Sequence, residues 1–136
     1  MIRTDLEADD RVIEVIDVGV NDDTAGTTRY PSVAFAAAEK VATGEADRAI
    51  LICGTGIGMA ISANKVKGVW ATVGHDSYSV ERSIMSNNCQ VLTMGQRVVG
   101  PELARRLVKE WLGYEFDSTS HSVDNVALIE EYEQQH

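Results

Sequence analysis

The stretch from Ala49 to Lys65, AILICGTGIGMAISANK, restricts the fold more than any other part of the chain. Four uninterrupted apolar residues, Ala49 to Ile52, lead into Cys53. Gly54, Thr55, Gly56, Ile57 and Gly58 follow, and then small and apolar residues at helical spacing. A short apolar run that ends in a glycine-rich turn and becomes a helix predicts a buried parallel strand feeding a helix. The turn then lies at the carboxyl end of the strand, the edge where open α/β sheets bind ligands. Its glycines let backbone N–H groups approach an anion, and the helix adds its positive end. Cys53 sits at that edge. A thiol near a helix N-terminus has a lowered pKa and can serve as base or nucleophile. Alternatively it is a small buried hydrophobe that closes the strand. The residues alone leave both readings open.

The chain has 136 residues, 44% of them hydrophobic, which predicts one compact domain over 1–136 with a real core. A formal net charge of −9 argues against nucleic acid or an anionic membrane as partner. An anionic substrate must then be held by a few local cations and backbone dipoles. No apolar run approaches a membrane span, and the charged start MIRTDLEADD predicts no signal peptide. Cys53 and Cys89 form no metal spacing, nor do His75, His121 and His136, so no metal or other cofactor is expected. Two unpaired cysteines fit a reduced, cytoplasmic setting.

The rest of the chain reads as alternating strands and helices. Met1 to Asp10 resembles a piece of helix. Val12 to Val18, VIEVIDV, is β-branched and predicts a strand. Gly19 to Thr28 is a polar loop, and Pro31 opens an alanine-rich helix that Gly44 ends. Further strands are predicted over Val69 to Val73 and Val91 to Met94, with a helix from Asp76 to Met85 between them. Gly100-Pro101-Glu102 opens a helix with Leu103, Leu107, Val108 and Trp111 on one face. A last helix, Ser122 to Gln134, is expected to turn Val126, Ile129 and Tyr132 inward. The fold class is α/β, a doubly wound, Rossmann-like parallel sheet with helices on both faces. The pattern begins with half a helix and no strand before it.

At ICGTGIGMAISANKVKGVWA the chain resembles the family of ribose-5-phosphate isomerase B and the galactose-6-phosphate isomerase subunits. Tyr30-Pro31, HDSYSVERSIMSNN and VLTMGQRVVGPELA extend the resemblance over nearly the whole chain. That family interconverts aldose and ketose phosphates through an enediolate. The resemblance implies Cys53 as the base that moves a proton between adjacent carbons, and Thr55 as a shuttle between the two oxygens. It implies Gly54, Gly56, Ile57 and Gly58 as backbone donors to the developing oxyanion. Asn87, Arg97 and Tyr30 fall on substrate-binding positions. The family's sites lie between two subunits, so a homodimer or dimer of dimers is expected, with Arg97 near the partner's loop.

The chain also departs from the family. The family's first strand, with its Asp-His pair, is missing, about a dozen residues by the register of the resemblance. Ser86 stands where the ribose-phosphate enzymes carry a ring-opening His. Ser120 and Asp124 stand where they carry two phosphate-gripping arginines. SVERSIMSNNCQVLTMG resembles the branch that interconverts erythrulose 4-phosphate and erythrose 4-phosphate. The expected function is therefore a tetrose-phosphate isomerase. The alternatives are ribose-5-phosphate isomerase B, or a non-catalytic sugar-phosphate-binding or partner subunit.

Overall fold

A computed structural model describes residues 1–21 and 23–136. Its centre is a parallel sheet of β1 (Ala49–Cys53), β3 (Val91–Gly95) and β2 (Ala71–Val73), in the order β1-β3-β2. Cys53 pairs with Gly95, so the glycine loop and the turn after β3 leave the same edge together. Alternation along β3 sends Leu92 and Met94 to one face and Val91 to the other. On the Leu92 face lie α4 (Ser77–Met85), α5 (Pro101–Trp111) and the apolar side of α1 (Ile2–Glu7). On the other face lie α2 (Tyr30–Ala42) and α3 (Ile57–Ala63). Alanines at 34, 37 and 38 of α2 are buried there and bring that helix close to the sheet.

Four expectations are corrected. β1, expected as a buried strand, is an edge strand: its only ladder among the described residues is with β3, so Leu51 alone is buried and Ile52 is 41% exposed. Val12 to Val18 is not a strand: no backbone–backbone hydrogen bond joins residues 13–18 to any other described residue. A groove of about 1050 Å³ separates this segment from the outer edge of β1, so β-branched residues have no ladder to join. The strand predicted from Val69 starts at Ala71. The Val69 N–H is taken by the Val66 carbonyl in a turn, and the Trp70 N–H by the Gln90 side chain. In α6 (Ser122–Gln135) only Val126 is buried; Ile129 is 47% and Tyr132 65% exposed. A polar clamp holds this helix instead. Glu133 accepts from the Gly68 N–H at 3.0 Å and from the Trp70 indole N–H at 3.3 Å.

Arg48 ties the entry of β1 to the exit of α5. Its guanidinium donates to the Trp111 carbonyl at 2.8 Å and to the Tyr114 carbonyl, and lies 5.4 Å over the Trp111 ring. The Trp111 carbonyl also accepts the Tyr114 N–H at 3.3 Å, so the forked cation closes a turn that the backbone already begins at the end of α5. Arg48→Met keeps the stem and removes both bonds. It is expected to cost about 2 kcal/mol in urea unfolding, and Arg48→Lys is expected to recover only part of it. A loss within about 0.5 kcal/mol would show the fork to be idle.

Candidate functional site

The loop after β1 is laced to the turn after β3. The Gln96 N–H donates to the Cys53 carbonyl at 2.8 Å, and the Arg97 N–H to the Gly54 carbonyl at 3.0 Å. Gly56 caps α3 with φ +83°, a left-handed conformation that glycine adopts without strain. A Cβ there would also fall 2.9 Å from the Met94 backbone. Small residues are thus required by backbone packed on backbone.

This folding aims N–H groups at the Cys53 sulfur. The Gly56 N–H donates to Sγ at 3.1 Å. Partial burial pushes the thiol pKa up, but the N–H groups of Thr55, Gly56, Met59 and Gly58 outweigh it. The net shift is below the ordinary cysteine value. Cys89 is the contrast: burial alone pushes it up to about 11. Thr55 is exposed beside the sulfur. Its Oγ1 accepts from the Ile57 N–H at 3.2 Å, which leaves its own proton free to donate.

The Arg97 side chain lies across Gly54. A Cβ on Gly54 would meet its Cδ and Nε at 3.6 Å. Its guanidinium has no ion-pair or side-chain hydrogen-bond partner among the described residues. Tyr30 covers the other end of the loop, and a Cβ on Gly58 would run into its hydroxyl and ring. Cys53 and Tyr30 both line the groove beside β1. A thiol of lowered pKa, a free hydroxyl, a ring of N–H donors and an unpaired cation are what proton transfer next to an anionic carbonyl compound requires.

A family described as Ribose/Galactose Isomerase matches residues 1–129. The chain belongs to the ribose/galactose isomerase family. It is 67% identical over 134 residues to D-erythrulose-4-phosphate isomerase 2 of Mycolicibacterium smegmatis, covering 97% of this chain and 86% of that protein. It is 43% identical over 124 residues to ribose-5-phosphate isomerase B of Escherichia coli, covering 90% and 82%. The solved type B ribose 5-phosphate isomerase of Leishmania infantum superposes with a TM-score of 0.91 at 33% identity, over 98% of this chain and 86% of that one.

Within one chain of this family member, the candidate residues fall into two groups. Cys53, Thr55, Gly54, Gly56, Ile57, Gly58, Arg97 and Tyr30 gather at the carboxyl edge of the sheet. Arg97 lies across Gly54 of its own chain's loop. Asn87 is elsewhere. It follows α4 in a cap closed by the Cys89 N–H on the Ser83 carbonyl, with Asn88 at φ +52°. β3 begins four residues after Asn87, which therefore sits at the amino edge, one strand length of roughly 13 Å from the Gly95 level. Ser86 is there too, its Oγ accepting from Arg82 at 3.1 Å. The Asp117 N–H on the Met85 carbonyl draws the segment of Ser120 and His121 towards the same edge.

Among the described residues, no cluster of His, Cys, Asp or Glu is arranged to hold a metal ion. Among the same residues, no helix is long and apolar enough to cross a membrane. Sequence reading missed one contributor at the loop, Thr93. Its only signal is a polar residue inside the apolar strand VLTMG.

Proposed function

We propose that this chain is an aldose–ketose isomerase that interconverts D-erythrulose 4-phosphate and D-erythrose 4-phosphate through an enediolate. The observation that carries the chemistry is the Cys53 sulfur held at 3.1 Å by the Gly56 N–H in a loop of further donors. The Cys53 thiolate takes the proton from C1 of the ketose and returns it to C2. The Thr55 hydroxyl passes the other proton between O1 and O2. Loop N–H groups of Gly54 to Gly58 hold the charge on the enediolate oxygen, the costliest species on the path. Arg97 and Tyr30 bind the substrate at the two ends of the loop.

Asn87 and Ser86 lie at the edge opposite their own Cys53, so they serve the site of a second copy. A homodimer with each site built from both chains follows from that reading, and a reduced cytoplasm suits the free Cys53 and Cys89. The whole of 1–136 is then one catalytic domain.

The substrate is argued from Ser86. Ribose 5-phosphate has a free 4-hydroxyl and closes into a furanose, which needs an acid to open. In a tetrose 4-phosphate that oxygen carries the phosphate, so the ring cannot form and no acid is needed at Ser86. The shorter substrate also keeps its phosphate away from the positions of Ser120 and Asp124. The 67% identical relative bears the name D-erythrulose-4-phosphate isomerase 2. The 46% identical relative from Pectobacterium atrosepticum is named D-erythrulose-4-phosphate isomerase. The test is kcat/KM on both sugar phosphates. Erythrulose 4-phosphate is expected to be preferred by at least about a hundredfold, the scale set when a site lacks a required catalytic acid. An equal or higher value for ribose 5-phosphate refutes the tetrose reading, and no turnover of either refutes the enzyme.

A further inference from the structure

Strand β3 carries one hydroxyl among otherwise apolar side chains. Thr93 is 0% exposed, between Leu92 and Met94 in sequence and beside Val91 on its face of the sheet. A hydroxyl buried so completely needs a partner. Thr93 Oγ1 donates to the Gly56 carbonyl at 2.7 Å. The same carbonyl already accepts the Ala60 N–H at 3.1 Å, the first helical bond of α3. The threonine bond is therefore not needed to satisfy that oxygen.

What the bond can do is orient Gly56. A residue without a side chain has nothing of its own to pack, and its peptide planes turn easily unless tethered. Gly56 is tethered at three points. The Met94 backbone closes on its Cα, its N–H lies on the Cys53 sulfur, and its carbonyl is held by Thr93. One line of contact thus runs from the hydroxyl in β3, through a left-handed glycine, to the thiol at the end of β1.

We infer that Thr93 is a positioning residue for Cys53: through Gly56 it holds the loop N–H groups on the sulfur and on the oxyanion that forms beside it. The inference rests on the proposed role of Cys53. Thr93 touches neither the sulfur nor the substrate. Its effect comes from direction: hydrogen bonds weaken steeply as the donor angle falls, so a small rotation of the Gly56 peptides loosens their hold on the thiolate. Burial of the thiol is then less opposed, and the neutral form gains.

The experiment reads the thiol without any substrate. Thr93→Val keeps the shape and removes the hydroxyl; Thr93→Ser keeps the hydroxyl and removes the methyl. The pH dependence of iodoacetamide labelling is followed on the Cys53 peptide of the folded protein. In Thr93→Val the labelling midpoint is expected to rise by about half a pH unit or more, and in Thr93→Ser to return to the parent value. With erythrulose 4-phosphate, kcat in Thr93→Val is expected to fall about tenfold with KM within about twofold, the mark of an interaction realised in the transition state.

A Thr93→Val labelling profile that superimposes on the parent overturns the inference, whatever happens to its melting temperature. So does a Thr93→Ser profile that matches Thr93→Val. Should the valine variant fail to fold, Thr93→Ala read against Thr93→Ser decides on the same terms. A shifted midpoint in a protein that turns over neither sugar phosphate upholds the positioning and sinks the isomerase reading.

Discussion

Replacing Cys53 with alanine is expected to lower kcat for erythrulose 4-phosphate by at least about a hundredfold with the fold intact, the range of a lost general base. The fold should survive because the thiol is only partly buried at the end of a strand, and alanine leaves the loop backbone bonds in place. The loss should be large because nothing else at the loop can take the proton. Thr55 is a hydroxyl whose oxygen already accepts the Ile57 N–H. Arg97 offers only N–H donors and no acceptor. Exchange of the substrate C1 hydrogen in D₂O should vanish with turnover.

The pH dependence has a definite sign. Loop N–H groups hold the Cys53 pKa below its ordinary value, so its thiolate persists to lower pH, and activity should fall only as the pH drops through that lowered pKa. At neutral pH iodoacetamide should therefore label Cys53 well before Cys89, whose thiol is pushed up to about 11. Near-normal turnover in the alanine variant removes Cys53 from the reaction. Equal labelling of the two thiols removes the argument for its activation.

The glycine loop was legible because its information is local. An apolar run, a cysteine and three glycines at fixed offsets demand a strand, a turn and a helix, and those are present at Ala49–Cys53 and Ile57–Ala63. The helix over Pro101–Trp111 was legible for the same reason: Leu107, Val108 and Trp111 are buried on one side, while Leu103 of the same expected face is 42% exposed and Ala104 is buried instead. Val12 to Val18 failed because β-branched composition records a preference for a pleated surface without supplying the neighbour that would pair with it. Ile129 and Tyr132 failed because helical spacing identifies a stripe and not what covers it. The placement of the candidate residues at two edges of the sheet was also hidden. Asn87 and Cys53 are brought to one substrate by resemblance, yet only topology reveals that a whole strand lies between them. Thr93 gave one faint sign, since its role depends on a contact with Gly56 across 37 positions of sequence.

Gly95→Ala is expected to be the most damaging single methyl in the site. Its Cβ would stand 2.5 Å from the Thr55 Cα and carbonyl carbon and 2.7 Å from the Gly54 carbonyl oxygen. All three atoms are backbone, so no side chain can swing aside. The loop cannot retreat cheaply either, because it is pinned by the Arg97 N–H on the Gly54 carbonyl and by the Gly56 N–H on the sulfur. The strain must move β1 away from β3 or push Thr55 out of register, and either costs about 3 kcal/mol, the upper range of overpacking. For a chain of this size that lowers the melting temperature by about 10 °C. Activity should fall further than stability does, since the displaced residue carries the proposed shuttle hydroxyl and leads directly into the donors on Cys53. Gly26→Ala is the control, with nothing within 4 Å of its Cβ, and should stay within about 0.5 kcal/mol of the parent. Thermal unfolding and kcat of the two variants, measured side by side, check both halves of the expectation. A Gly95→Ala protein as stable and as active as Gly26→Ala would mean that the loop and the turn after β3 do not meet as closely as the site requires.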